Sequence, residues 1–144
     1  MRSAKPLAVA VVILLTLYVA WRVVVNRRVG SDLIAAGRTA VEFTDALRVG
    51  DLDTALGLTS TTFAAGIGPK GLEDLLARHP ALRNKPDPGA VGLKGRRLEN
   101  YATRHFMYPR VPVPKNEHDY LPVVVKMSVG NSGRWLVDEI VVYE

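Results

Sequence analysis

Hydrophobic and polar positions fall into three successive patterns along the chain. The first is an apolar run of 19 residues from Leu7 to Val25, in which Arg22 is the one charged residue. A helix of this length covers roughly 28 Å at about 1.5 Å per residue, which matches the roughly 30 Å hydrocarbon core of a bilayer. The pattern therefore predicts a single membrane span over residues 7–25, inside an anchor that comprises residues 1–28.

Aromatic and basic residues stand where this run would leave the hydrocarbon. Tyr18 and Trp21 lie near its far end, where amphipathic rings prefer the headgroup level, and the long Arg22 side chain can reach water from there. Arg27 and Arg28 follow shortly after the run. We therefore predict that these five residues meet the membrane interface.

Two other interpretations of the run stay open. A cleaved secretory signal also has a basic start and an apolar core, but cleavage after Ala20 would place Tyr18 where a small residue is required. A buried helix of a soluble domain is the second alternative. The basic residues on the two sides nearly balance, and the short tail before one span favours a cytoplasmic amino terminus and an extracytoplasmic, periplasmic domain.

The second pattern has helical periodicity and opens the domain predicted for residues 29–144. Its first helix is expected to start at a cap on Ser31 or Asp32 and to end at Gly50. The apolar positions of this helix include Ile34, Val41 and Leu47.

Two shorter helices are predicted next. Asp51 can cap a helix that ends at Gly57 and the cluster TSTTF. A third helix should begin with Pro69 in its first turn and end at Pro80, with three leucines on one face. Those leucines are Leu72, Leu75 and Leu76.

The third pattern lacks a helical period and is rich in valine, tyrosine and proline. It predicts four strands, near 90–99, 101–108, 121–129 and 134–143. Four prolines confine the segment PRVPVPKNEHDYLP to a loop or a sheet edge.

The last two predicted strands form a hairpin around the turn GNSG. Strict alternation predicts one apolar face made of Val123, Val125, Met127, Val129, Trp135, Val137, Val141 and Tyr143. The same alternation places Asp138 on the opposite parity, with Leu136, Ile140 and Val142. Helices followed by an antiparallel sheet predict an α+β domain with the helices packed on one side of the sheet.

The order of these elements resembles the NTF2-like superfamily. The resemblance is carried by AVEFTDALRVGDLDTALGLTSTTF and, much later, GRWLVDEIVVYE, and it spans about residues 33–144. It implies a cone-shaped domain in which a curved sheet wraps around amino-terminal helices. The superfamily includes isomerases, dehydratases, transport factors and accessory domains without catalysis, so the resemblance does not decide the function.

The distribution of charge argues against a nucleic-acid partner. The chain has a net charge of +5 and a pI of about 9.7, but residues 1–28 carry the whole excess and residues 29–144 hold 14 basic and 14 acidic residues. Inside the neutral domain, residues 83–115 are basic and the flanking segments are acidic. The absence of cysteine excludes disulfides, thiol nucleophiles and thiolate metal sites.

Neither a catalytic motif nor a metal or cofactor motif stands out, and we predict no catalytic, metal-binding or cofactor-binding residues. The basic middle segment and the proline-rich loop suggest contacts with another protein or with lipid headgroups. These candidate contacts are Arg96, Arg97, Arg104, Arg110, His118 and Tyr120. If the cone encloses a pocket, Asp138 and His105 are the candidate polar groups in it.

The sequence therefore favours a non-catalytic accessory subunit of a larger membrane protein complex, held by one span and contacting the bilayer and partner subunits. The alternative is a membrane-tethered NTF2-like domain that binds a small molecule or acts as an isomerase or dehydratase.

Overall fold

The computed structural model describes residues 5–86 and 106–143. Their architecture is α+β, as predicted: a long apolar helix is followed by two more helices and then by a small antiparallel sheet. The chain divides into two compact units, Met1–Asp32 and Leu33–Glu144.

Helix α1 runs without interruption from Lys5 to Val49. The predicted cap at Ser31 or Asp32 is therefore wrong, because both residues lie inside the helix. Extending an existing helix needs no new nucleus, and each of its two interior glycines, Gly30 and Gly37, costs only about 1 kcal/mol. No proline stands between the apolar run and the domain to enforce a stop.

The first part of α1 is long and apolar enough to cross a membrane. Its most apolar stretch of 18 residues has a mean hydropathy of 2.1, and none of that stretch is buried. The second part of α1 belongs to the domain core and buries a stripe at helical spacing. That stripe is Leu33, Ala36, Ala40, Phe43 and Leu47. Ile34, predicted as an apolar position, lies off the stripe and is 62% exposed.

The end of α1 agrees with the prediction. Gly50 has a positive φ of 77°, which glycine adopts without steric cost, and its N–H bonds to the Leu47 carbonyl at 3.1 Å. The Asp51 N–H reaches back to the Ala46 carbonyl at 2.9 Å, which completes a Schellman closure. Asp51 then caps helix α2, Leu52–Gly57, by accepting the N–H of Thr54, as expected from the sequence.

Helix α3 spans Thr61–Arg78 and contains a kink at Gly68. The part after the kink, with Pro69 at its start, was predicted, and its three leucines are buried. The part before the kink was not predicted, because the hydroxyl-rich segment TSTTF was expected only to end α2. In the structure, Ser60 of this segment caps α3 by accepting the N–H of Phe63. A short 3-10 turn follows at Pro80–Arg83.

The sheet is antiparallel and is built around its longest strand. The strands are β1 (Phe106–Met107), β2 (Arg110–Pro114), β3 (Tyr120–Val129) and β4 (Trp135–Val142). Strands β1 and β2 follow one register against β3, and β4 pairs with the opposite edge of β3.

These strands confirm the predicted final hairpin around GNSG. The proline-rich segment, predicted as loop or edge, contributes β2. The predicted strand near 101–108 is present at Phe106–Met107, and its remainder, like the strand near 90–99, lies outside the described residues.

One face of the sheet is buried, and β4 contacts α3. The buried residues of this face are Met107, Val111, Val113, Leu121, Val123, Val125, Met127, Trp135 and Val137. Trp135 is 6% exposed, in agreement with its predicted place in the core.

A β-bulge in β4 overturns the strict alternation predicted for this strand. Met127 pairs with Val137 but Lys126 pairs with Glu139, so Asp138 is an extra residue with no opposite number on β3. After the bulge, Ile140 stands opposite the buried Val125. An extra residue reverses the alternation, and the faces of all later residues change.

The predicted inward positions of Val141 and Tyr143 are therefore wrong. Ile140 and Val142 instead lie on the face of the sheet that is turned to the core, and Val141 lies opposite Val124 on the opposite face. We call this other side of the sheet the outer face. It carries Phe106, Arg110, Pro112, Tyr120, Pro122, Val124, Lys126, Leu136, Val141 and Tyr143.

Candidate functional site

A short stretch before α3 attaches the helices to the edge of β4. The Val137 N–H donates to the Leu58 carbonyl at 2.9 Å, and the Ser60 N–H donates to the Val137 carbonyl at 2.8 Å. These two bonds form a parallel bridge between Thr59 and Val137. The first turn of α3 is thereby held next to the bulge residue, Asp138.

A groove opens between this first part of α3 and the sheet, with a volume of about 640 Å³. We call it the α3 groove, and it is lined by Ser60, Thr62, Phe63, Gly66, Ile67, Phe106, Lys126 and Asp138. The volume lies within the usual range for small-molecule sites, roughly 300–1,000 Å³. The groove is widely open to solvent.

The bulge explains why a carboxylate lies in this groove. Asp138 has no cross-strand partner, so its side chain is not tied into the ladder of pairs between β3 and β4. It forms no salt bridge with another described residue. Bulges often redirect a side chain at a sheet edge, and here the redirected group is an acid beside the start of α3.

Lys126 supplies the opposite charge on the neighbouring strand. Its Nζ lies 4.7 Å from the centroid of the Phe106 ring, within the range of a cation–π contact. Glu139 stands directly opposite Lys126 in the register, yet the two form no salt bridge. The ring of Phe106 therefore holds the ammonium in the groove without neutralising it.

Of the two residues predicted for a pocket, Asp138 lines the α3 groove, and His105 lies outside the described residues. Sequence reasoning missed Phe106, Lys126 and the hydroxyls of Ser60 and Thr62. One signal was present: Lys126 is the only charged residue of the valine-rich strand β3.

The predicted partner contacts are only partly within the described residues. Arg110 and Tyr120 share the outer face, where they flank Val124 and Pro122 along β2 and β3. His118 lies in the exposed loop between these strands, where its N–H bonds to Asn116 at 3.0 Å. The remaining contacts, Arg96, Arg97 and Arg104, lie outside the described residues.

The far end of the outer face from the groove is apolar and exposed. Tyr120 is 50%, Val141 36% and Tyr143 51% exposed. With Arg110 and Val124, these side chains form what we call the terminal patch. Contiguous exposed apolar surface of this kind is typical of contact sites.

The five residues predicted to meet the membrane interface all lie on α1 and are exposed. Arg22 Cζ lies 5.9 Å from the centroid of the Tyr18 ring, and the rings of Tyr18 and Trp21 are 6.3 Å apart. Arg27 and Arg28 follow on the next turns and are also exposed.

Hydrogen bonds from the Thr54 hydroxyl and N–H lower the pKa of Asp51 below its ordinary value of 3.8, which reflects helix capping. Within residues 5–86 and 106–143, no three His, Cys, Asp or Glu side chains are grouped closely enough to hold a metal ion.

Comparisons with known proteins give no relative. No protein-family model matches the sequence, and searches of curated proteins and of solved structures found no match.

Proposed function

We propose that this protein is a non-catalytic accessory subunit of a membrane protein complex. One membrane span over residues 7–25 anchors it, and an NTF2-like domain binds a partner subunit outside the bilayer. The observation that carries the proposal is the exposure of the apolar half of α1, none of which is buried within its most apolar 18 residues.

The cost of that exposure supports the proposed anchor. Burial of apolar surface is worth about 25 cal/mol per Å², so a run of valine, leucine and isoleucine that is more than half exposed is unfavourable in water. Exposures of 54–66% at Ile13, Leu14 and Leu15 are what a bilayer would cover. The tyrosine, tryptophan and arginines at its far end match an interface.

The terminal patch supports a protein partner. Its aromatic and aliphatic residues share the outer face with Arg110, and this mixture of aromatic, apolar and arginine side chains is typical of the centre of protein interfaces. Pairing of β2 and β4 with β3 holds these side chains on one rigid surface. We place this surface in the periplasm or an equivalent extracytoplasmic space, and its partner among the other subunits of the complex.

Membrane insertion is tested by carbonate extraction of isolated membranes. Wild-type protein should stay in the pellet, and a Leu14→Arg/Leu15→Arg variant should be released, since each arginine costs roughly 2.5–3.5 kcal/mol at a span centre. Ile34→Arg is the matched control, because Ile34 is as exposed but lies in the domain. Extraction of the wild-type protein would contradict the anchor.

Orientation can be read from a single introduced thiol, since the chain has no cysteine. Ser132 lies exposed in the hairpin turn, so a Ser132→Cys variant should react with a membrane-impermeant maleimide in intact cells. Labelling only after lysis would place the domain in the cytoplasm.

The partner surface is tested by photocrosslinking from a benzophenone amino acid at Val141 or Tyr143. A discrete adduct should form in native membranes, and the same partner should copurify less with Val141→Ala/Tyr143→Ala. A probe at Glu73, exposed on α3, is the control. Equal adducts from all three positions would contradict a specific surface.

A second candidate function is ligand binding in the α3 groove, favoured by its size and by the charges of Lys126 and Asp138 in it. The two functions are compatible, because the groove and the terminal patch involve different residues of the outer face.

A further inference from the structure

We propose that the α3 groove binds a small zwitterion with an apolar body, such as an amino acid with an aromatic or aliphatic side chain. The inference rests on the second candidate function, ligand binding in the groove, and names the chemical class of the ligand. It follows from three features of the lining: two opposite charges, two hydroxyls and an apolar wall.

The two charges are separate, and neither forms a salt bridge with another residue of 5–86 or 106–143. Lys126 stands opposite Glu139, the residue next to Asp138, so Lys126 and Asp138 lie on neighbouring strands with Cβ atoms several ångströms apart. They form no salt bridge with each other. A ligand that carries a carboxylate and an ammonium a few ångströms apart can satisfy both at once.

A ligand with only one charge would leave the other group uncompensated. An anion would pair with Lys126 but approach the carboxylate of Asp138, and a cation would meet the reverse arrangement. Only a zwitterion places an opposite charge beside each group, so the site should favour it over both.

The hydroxyls extend the polar side of the groove. Ser60 Oγ accepts the Phe63 N–H at 3.3 Å, which leaves the hydroxyl hydrogen of Ser60 to donate to a ligand carboxylate. Thr62 lines the groove next to it.

The apolar wall fixes the character of the rest of the ligand. Phe63, Ile67 and Phe106 line the groove, and Phe106 also holds the Lys126 ammonium over its ring. An aromatic or branched aliphatic group would bury its surface against these side chains. At Gly66, a Cβ would meet no atom within 4 Å, so this part of the groove is empty.

Three probes that differ only in their charged groups test the class. Isothermal titration of the full-length protein in nanodiscs would compare L-phenylalanine, 3-phenylpropionate and 2-phenylethylamine. We expect L-phenylalanine to bind at least about tenfold more tightly than either singly charged probe, which corresponds to one lost ionic contact of about 1.4 kcal/mol.

Matched variants assign the contacts. Asp138→Asn should weaken L-phenylalanine and 2-phenylethylamine about tenfold but not 3-phenylpropionate, and Lys126→Met should weaken the two carboxylates. Glu139→Gln is the control, because Glu139 neighbours Asp138 but does not line the groove, and it should change nothing. Gly66→Leu should fill the groove and abolish binding of every probe, with the thermal unfolding of each variant checked in parallel.

The remaining outcomes distinguish failure of the proposed ligand class, a zwitterion, from failure of ligand binding in the groove. If 3-phenylpropionate or 2-phenylethylamine binds as tightly as L-phenylalanine and Gly66→Leu abolishes it, the zwitterion is overturned and ligand binding in the groove stands. If no probe binds at 10 mM (roughly −2.7 kcal/mol), both are overturned. Binding that Gly66→Leu leaves unchanged lies outside the groove and also overturns both.

Discussion

Pro112 and Pro122 stand directly opposite one another on β2 and β3. Hydrogen-bonded and non-hydrogen-bonded pairs alternate along antiparallel strands. The bond from the Val125 N–H to the Pro109 carbonyl makes Pro109 and Val125 a hydrogen-bonded pair, so Pro112 and Pro122 form a non-hydrogen-bonded pair. The missing N–H of Pro112 therefore points away from β3, toward the outer edge of β2, and that of Pro122 points toward β4. The two prolines are compatible with the pairing of β2 and β3, because neither missing N–H would take part in a hydrogen bond between these two strands.

Among the strands that the structure describes, β2 pairs with β3 alone, and we expect its prolines to protect its other edge against pairing. Pro112 and Pro114 both withhold a donor from that edge, and the Pro114 carbonyl already accepts the Asn84 side-chain N–H at 2.6 Å. A Pro112→Val/Pro114→Val variant should self-associate in light scattering. Pro122→Val restores a donor toward β4 instead and should stay monodisperse; aggregation of this control to the same degree would reject the explanation.

The bulge at Asp138 predicts unequal costs for two adjacent truncations. Ile140→Ala should lower the free energy of unfolding by about 2 kcal/mol, because Ile140 faces the core opposite Val125. Val141→Ala should change it by less than about 0.5 kcal/mol, because Val141 lies on the exposed outer face. Urea unfolding of both variants measures the difference, and the reverse order would mean that β4 alternates without a bulge.

Two glycines in α3 should respond oppositely to alanine. Gly68 has φ 59° and ψ 178°, a conformation that a side chain strains, so Gly68→Ala should cost about 1–3 kcal/mol. Gly66 is helical and has open space at its Cβ, so Gly66→Ala should raise stability by up to about 1 kcal/mol. Thermal unfolding checks both, and stabilisation by Gly68→Ala would indicate that the kink is dispensable.

The cap of α2 should make stability depend on pH in one direction. Hydrogen bonds from Thr54 lower the pKa of Asp51 in the folded state, so the native protein binds fewer protons than the unfolded chain near the ordinary value of 3.8. The contribution of this cap is therefore complete above that value and is lost as pH falls through the lower folded-state pKa.

Substitutions at the cap separate its charge from its hydrogen bonds. Asp51→Asn keeps a capping oxygen but cannot ionise, so wild type should lose its advantage over this variant as pH falls. Thr54→Val removes the hydroxyl that donates to Asp51 at 2.7 Å, and NMR titration should show the Asp51 pKa moving back up. An Asp51 pKa that does not change in this variant would mean that another group causes the shift.

Local signals predicted those elements whose residues act on their neighbours in sequence. Gly50, Asp51 and Pro69 end or begin helices through bonds within a few residues, and each was placed correctly. The same logic failed at Ser31 and Asp32, because a residue able to cap a helix does so only where the helix actually stops.

The α3 groove could not be assembled from local patterns. Its members come from α3, β1, β3 and β4, and only pairing brings Lys126 and Asp138 near Ser60. The bulge also has no signature in the sequence. One extra residue leaves the valine-rich composition of β4 unchanged, although it reverses which face of the sheet each later residue of β4 occupies. Asp138 stands out in the sequence because it interrupts an apolar strand, whereas the groove that it lines needed the three-dimensional fold.

The position of β3 between the other strands has a kinetic consequence. Each hairpin that it forms, with β2 before it and β4 after it, joins segments close in sequence, so little chain entropy is lost in closing either one. The Thr59–Val137 bridge, by contrast, joins distant segments. We expect the three-stranded meander to form early and the docking of the helices through this bridge to be the slow step of folding.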